Sequence, residues 1–409
     1  MSSSSLKTTC CIAGGGPAGM MLGFLLARAG IAVTVLEKHA DFLRDFRGDT
    51  VHPSTLEIMH ELGLAERLLQ LPHQKIERLS GAVGNQTFPF ADFSHLPVHY
   101  PFIALMPQWD FLNFLASEAK AFANFTLLMR TEVIGTIEEA GKITGVRARS
   151  PEGETEIKAD LVIAADGRHS TVRASGGFIV EDIGAPMDVL WFRLSRQSSD
   201  PPQTLGRIDA GSIFVQLNRG DYWQCAYVIP KGSVEDVHRR GLDAFRAEIV
   251  RQAPFFADRI AEIVSFEDAK LLTVGIDRLT RWHKPGLICI GDAAHTMSPI
   301  GGVGINVAIQ DAVAAGNVLA EPLRNGTVTD ANLAAVQARR ELPVRVVQGI
   351  QVFIQKRVIS TVLAKRGGEV QAPRFLHLLS IIPILQQIPA RVLGLGLRRE
   401  HVGPAILGR

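Results

Sequence analysis

Three stretches of this sequence hold residues that could do chemistry. In "AGGGPAG" the glycines at 14, 16 and 19 fall as G-x-G-x-x-G, and Glu37 follows eighteen residues after Gly19. Such a turn lets backbone N–H groups approach a diphosphate, and the helix behind it adds its positive end. Glu37 is spaced to accept hydrogen bonds from a ribose. In "ADGRHSTVR", Asp166 could accept from hydroxyls and Arg173 could meet phosphate in a forked pair; a surface turn with a solvated arginine reads equally well. In "GDAAHTMSPIGGVGINVAIQDA", Asp292 ends an apolar run, where a solitary acid is rare unless something bonds it. Pro299, Gly301, Gly302 and Gly304 then lead to a helix opening at about Ile305 and Asn306. A wall without side chains lets a flat ring lie on backbone, and the helix start favours an anionic ring. His295 reads as structural.

These residues need elements to hold them. "TTCCIA" reads as a buried strand, "PAGMMLGFLLARAG" as a helix closed by Gly30, and "IAVTVLEK" as a second strand. Strand, glycine turn, helix, strand and acid together are the context a dinucleotide fingerprint requires. The same stretch is apolar enough for a signal peptide or an anchor, but Gly14, Gly15, Gly16, Pro17 and Gly19 interrupt it. "MSSSS" reads as a frayed tip.

Further along, "PSTLEIMHELGL" and "PQWDFLNFLASEAKAF" read as helices, and residues 75–101 as short strands and turns. "DLVIAADG" and "GLICIGDAAH" read as further buried strands. "VLWFRLSR", "SIFVQLNRG" and "YWQCAYVIPKG" alternate as strands, followed by a helix near 234–264. The remainder looks helical, with breaks at Pro373, Pro383 and Pro389. The expected fold is α/β. A Rossmann-like nucleotide-binding domain (1–75, 102–178, 280–340) interleaves with a mostly antiparallel β-sheet substrate domain (76–101, 179–279). A helical segment (341–409) closes the chain.

The chain has 409 residues and a net charge of +2, too small to point to nucleic acid. From Arg345 onward ten Lys/Arg face two Asp/Glu, a surplus of eight, so the rest carries −6. This tail suits a peripheral membrane element, a second subunit, or packing on the body. Cys10, Cys11, Cys225 and Cys289 form no CxxC pair and read as reduced core residues, which fits a cytoplasmic location. No spacing suggests a metal site.

In order and spacing the three motifs resemble those of the class A FAD-dependent monooxygenases, typified by para-hydroxybenzoate hydroxylase, over roughly residues 6–325. The resemblance implies FAD, with NADPH or NADH as co-substrate. Its ADP half would lie at Gly14, Gly16, Ala18, Gly19, Glu37 and Lys38, with Val133 near the adenine by backbone. Arg47 and Gln108 would approach the cofactor, and Asp166 and Asp292 would lie near its pyrophosphate and ribitol. Pro299, Gly302 and Gly304 would line the ring, and Ile305 and Asn306 would offer it backbone N–H groups. The implied reaction hydroxylates an aromatic or other electron-rich small molecule with O2 through a flavin C4a-hydroperoxide. The alternative is a flavin-dependent reductase of a lipophilic, isoprenoid or quinone-like substrate. A halogenase lacks its W-x-W-x-I-P segment here, a disulfide reductase lacks its cysteine pair, and a non-enzymatic flavin sensor is a further class. No general base is identifiable. His52, Arg193, Gln224 and Pro299 are candidates for direct roles. Trp191 with Arg193, or Tyr222 with Gln224, could face the ring.

Overall fold

The computed structural model describes residues 5–43, 50–201, 205–365 and 370–408. Met1–Ser4 of the expected frayed tip, and Arg47, lie outside the described residues, while Ser5 already belongs to the first strand. That strand, β1 (Ser5–Ala13), enters helix α1 (Pro17–Arg28), and the chain returns as β2 (Val33–Leu36). Pro17 opens α1, where its missing N–H costs nothing, and Gly30 takes the left-handed conformation just beyond the end.

β1 lies inside a parallel sheet, with β2 on one side and β3 (Gly153–Ala164) on the other. Phe125–Leu128 extends the sheet beyond β2, and β4 (Leu287–Cys289) extends it beyond β3. Cys10–Ala13, Leu161–Ala164 and β4 are all fully buried. Their unbroken apolar runs are what a sheet covered on both faces demands. One face packs on α1 and α2 (Gly304–Arg324). The other packs on an antiparallel extension, Glu132–Glu139 and Lys142–Ser150, and on Trp282 and Val344.

A second sheet has seven strands. Met187–Ser195, Tyr222–Pro230 and Ser212–Asn218 form its antiparallel centre. At one edge Leu205–Asp209 pairs in parallel with Arg78–Val83, which forms a hairpin with Gln86–Asp92. One face carries the helices Val234–Arg240 and Leu242–Gln252. The single helix expected near 234–264 is therefore two, broken at Gly241 with φ of 88°, and 3-10 turns follow it. Two short sheets bridge the units: Thr50–Val51, Ile103–Leu105 and Gln74–Ile76 form one, and Val180–Asp182 with Asp277–Leu279 the other.

After α2 come α3 (Asp330–Ile354), α4 (Arg374–Ile381) and α5 (Gln387–Gly394). Pro373 and Pro383 sit at helix starts, as expected, but Pro389 does not break the chain. It is the third residue of α5, where its lost N–H would have had no partner within the helix.

Candidate active site

The first motif closes on itself through glycines. A Cβ on Gly19 would lie 1.9 Å from the Gly14 oxygen, and one on Gly14 would lie 2.3 Å from the Ala165 oxygen. The β1–α1 turn therefore rests on the backbone that enters Asp166. Gly16 differs: a Cβ there would meet nothing within 4 Å, and no side chain caps the N-terminus of α1. This is an open cradle with unsatisfied N–H groups, suited to a diphosphate. Glu37 is buried, and its two oxygens accept from the N–H groups of Gly15 and His39 at 3.0 Å each. A carboxylate oxygen can accept more than one hydrogen bond, which suits this residue type to a ribose. Lys38 beside it is exposed, and Ala18 packs inside α1. Thr131 N–H donates to the Glu37 backbone carbonyl at 2.9 Å, which brings the buried Val133 strand alongside. Gln108 is the first residue of the helix Gln108–Ala119 and is half-buried.

The second motif is engaged internally. Asp166 accepts from Ser170 Oγ and from the Val172 N–H at 3.2 Å; burial pushes its carboxyl pKa up against these bonds. Arg173 is not the solvated surface residue of one reading, and the partners it has here are internal. It donates to Arg168 O at 2.6 Å and to Ala293 O and Asp277 Oδ1 at 3.5 Å each. It thus ties the second motif to the third.

In the third motif Asp292 is half-buried, in the 3-10 turn Gly291–Ala293 that follows β4. A Cβ on Gly291 would lie 3.0 Å from Ala18 Cβ and 3.3 Å from Ala308 Cβ. This turn is therefore wedged between the first turn of α1 and the second turn of α2, two helices whose N-termini no side chain caps. Beneath it lies a buried polar network: His295 Nε2 meets Asp311 Oδ2 at 2.6 Å, and Gly291 N–H donates to the same oxygen at 3.1 Å. Arg340 donates to Asp311 Oδ1 at 2.9 Å and to Glu400 Oε1 at 3.4 Å. Asp311 is held below the usual carboxylate range; burial opposes this, and His295 and Arg340 outweigh it.

The loop from Pro299 to Gly302 is held from both sides. Pro299 caps a 3-10 turn in which Gly301 and Gly302 have φ of 78° and 62°. Thr50 Oγ1 donates to Gly302 O at 2.7 Å. Asn306 Oδ1 accepts from His52 N–H at 2.8 Å and Thr55 Oγ1 at 2.7 Å, while Nδ2 donates to Thr50 O at 3.0 Å. The Asn306 side chain thus staples residues 50–55 to the start of α2. Its neighbour Ile305 is buried, and a Cβ on Gly304 would meet only Met297 Cβ, at 3.9 Å. From behind, Gln351 Nε2 donates to Ser298 O and Ile300 O at 3.0 Å each, and its Oε1 accepts from Ser298 N–H at 3.0 Å. Gln348 holds Thr296 O and Gln355 holds Ser298 Oγ, both at 2.9 Å. This glutamine ladder was missed from the sequence. Its signal was a polar i, i+3, i+7 stripe on an otherwise ordinary helix.

His52 is fully buried. Its Nδ1 lies 2.8 Å from Leu393 O, and burial lowers its pKa to about 4. The ring is neutral, with Nδ1 as donor.

Register settles the question left open on the second sheet. Arg193 pairs with Gln224, Ser195 with Tyr222 and Trp191 with Ala226. Directly paired residues share a face, so all four candidates lie on one side. The Arg193 guanidinium sits 3.9 Å over the Tyr222 ring. Gln224 is buried and accepts from Arg219 Nε at 2.8 Å. Trp191 packs in a cluster with Ile300, so this face meets the Pro299–Gly302 loop.

The family model of an FAD binding domain matches residues 7–349. Over 390 residues the chain is 32% identical to 6-methylpretetramide 4-monooxygenase of Streptomyces rimosus, spanning 94% of this chain and 92% of that one. A solved structure of a probable FAD-dependent monooxygenase from Pseudomonas aeruginosa matches with a TM-score of 0.74 at 22% identity, over 88% of this chain and 97% of its own. Anhydrotetracycline hydroxylase from Streptomyces rimosus matches at 0.74 with 23% identity, over 97% and 78%. At such identities the two structures speak for the fold.

Proposed function

The chain belongs to the family of FAD-dependent aromatic hydroxylases, and from that premise we propose that it hydroxylates a fused-ring phenol with O2 and NAD(P)H. It is a flavoprotein monooxygenase, an oxidoreductase. The observation that carries the site assignment is the open cradle at Gly16, together with the uncapped N-termini of the two helices that flank Gly291. These residues fit FAD: a Cβ at Gly16 would fill the space a diphosphate needs, and the glycine wall at 301–304 suits a flat ring. Bound FAD supplies the redox chemistry, taking hydride from NAD(P)H and activating O2.

The chain's own residues bind, orient and exclude water. Gly14, Gly16, Ala18, Gly19, Glu37 and Lys38 hold the ADP half in this reading, with Gln108 and Val133 beside it. Asp166 and Asp292 bracket the centre, and Pro299, Gly302, Gly304, Ile305 and Asn306 hold the ring. With FAD bound, the α2 N-terminus would favour negative charge on that ring without reorganising, because the Asn306 staple and the glutamine ladder fix the loop beforehand. On the substrate side the reading gives Arg193, whose guanidinium stacks on Tyr222, the role of a cation for a phenolate, while Gln224 accepts from Arg219. The fused-ring preference draws support from the relative named for 6-methylpretetramide and the neighbour named for anhydrotetracycline. Four free, buried cysteines support work in a reducing cytoplasm. Of the three readings of the C-terminal segment, packing on the body accounts for its inner face at Leu376 and Ala390; for its outer face, between a membrane and a second copy, the charge favours the membrane.

The test is NADH and NADPH oxidation by the FAD-loaded protein against mono- and polycyclic phenols, using isotopically labelled O2. Label in a hydroxylated polycyclic product supports the reading. Turnover of simple phenols alone would overturn the substrate class. Anaerobic reduction of an acceptor with no oxygen inserted would return the reaction to a reductase.

A further inference from the structure

Nearly half of the exposed large apolar side chains among the described residues fall between Phe375 and Leu397. They form stripes. Phe375, Leu378 and Ile381 recur every three residues along α4, and Ile384, Ile388 and Val392 recur every four residues from the 3-10 turn Pro383–Gln386 into α5. Ile381, Ile384 and Ile388 are 76%, 67% and 62% exposed, more than a packed helix leaves to water. The inner faces are fixed: Leu376 packs on Val83 and Phe88, and Ala390 packs with Ala91 and Phe93. The outward stripes are therefore set by the fold and do not belong to a loose tail.

The same stretch is one-signed. From Val370 to Arg399 there is no Asp or Glu, and Arg374, Arg391, Arg398 and Arg399 are the charges. The chain before Arg345 carries the opposite net sign. We propose that the outer face of α4 and α5 docks on an anionic phospholipid surface, with the isoleucine stripes in the acyl boundary and the arginines among the headgroups. A second copy is a poorer occupant, since two such faces would set arginine against arginine with no carboxylate between them. A single span is excluded by the 114° bend where α4 meets the segment Pro383–Gly394. The geometry is that of a bent amphipathic pair lying in the interface.

The inner end of α5 reaches the active site. Leu393 O is the partner of His52 Nδ1, and a Cβ on Gly301 would lie 2.8 Å from Leu393 Cδ2. Docking therefore sets the Pro299–Gly302 loop one helix away from the lipid surface, where an apolar substrate concentrates. The proposal rests on the surface alone and stands whatever the monooxygenase acts on.

The test is flotation of the FAD-loaded full chain with vesicles of phosphatidylglycerol and phosphatidylcholine, and with phosphatidylcholine alone. The bound fraction should rise with phosphatidylglycerol and fall with salt. Ile384→Glu with Ile388→Glu should cut partitioning by about tenfold or more, as should Arg374→Glu with Arg391→Glu on anionic vesicles. Hydrogen exchange on the wild-type chain, which needs no variant to fold, should show added protection at 374–397 when vesicles are present. No binding at about 1 mM anionic lipid overturns the proposal, as does protection elsewhere. A dimer that the isoleucine variant splits, with no lipid binding, would assign the face to a second copy.

Discussion

His52 shows how one side chain can carry a pH dependence for the whole fold. Buried and neutral, it has a pKa of about 4 in the folded chain against 6.5 in the open one. As pH falls, the unfolded chain takes up the proton first. The stability tied to this ring is therefore complete above pH 6.5 and is lost progressively toward pH 4, by up to about 3 kcal/mol. His52→Asn keeps a donor for Leu393 O and removes the titration. Urea unfolding between pH 7 and 4 should show a shallower loss in the variant, by about 1.4 kcal/mol per pH unit. Equal slopes would clear His52 of the effect. Nothing in the sequence marked this residue as buried, because its partners Asn306 and Leu393 lie 254 and 341 residues away.

At the scale of elements, glycines of one motif do different jobs. Gly16→Ala adds a methyl where no protein atom lies within 4 Å, at a φ of −74° that alanine accepts. The apoprotein should melt unchanged to within about 0.5 kcal/mol, while FAD affinity falls about tenfold or more. Gly19→Ala drives a methyl against Gly14 O and should cost the apoprotein itself about 2 kcal/mol. Apoprotein melts and a flavin fluorescence titration separate the two, and identical behaviour would remove the case for a cradle at Gly16. The ladder on α3 makes a second prediction. Gln351→Leu strips three partners from the Pro299 loop, and hydrogen exchange at Ser298–Gly302 should rise by about tenfold or more while β1 stays protected. The strands and helices bearing Gly14–Gly19 and Asp292 were legible because a glycine turn and a buried apolar run are local constraints. The ladder was not, since its partners lie 51 to 57 residues away and glutamine on a helix is ordinary. Pro389 was misjudged for a related reason: whether a proline breaks a helix depends on where the helix starts, and packing on the Gln86–Asp92 strand sets that start.

Over the whole molecule, the network of His295, Asp311, Arg340 and Glu400 joins the third motif, α2, α3 and the C-terminal segment at one buried point. Asp311→Asn leaves the Arg340 guanidinium, 1% exposed, without its nearest anion and should cost about 3–5 kcal/mol in denaturant unfolding. Glu400→Gln should cost less, since Arg340 keeps Asp311; the reverse order would place the anchor in the C-terminal segment. Alternating apolar runs suggested strands of two kinds, yet nothing local told Arg78–Val83 to lie beside Leu205–Asp209. That pairing bears on how the chain is made. The hairpin of residues 78–92 leaves the ribosome more than a hundred residues ahead of its parallel neighbour. β1 waits a similar stretch for β3, and Arg340 waits sixty residues for Glu400. The nascent chain cannot finish one unit and then begin the next; both sheets stay open until late in synthesis, with unpaired apolar strands in a crowded cell. Vectorial folding is closed to this architecture, and its yield in vivo should follow the supply of chaperones that shield those early strands.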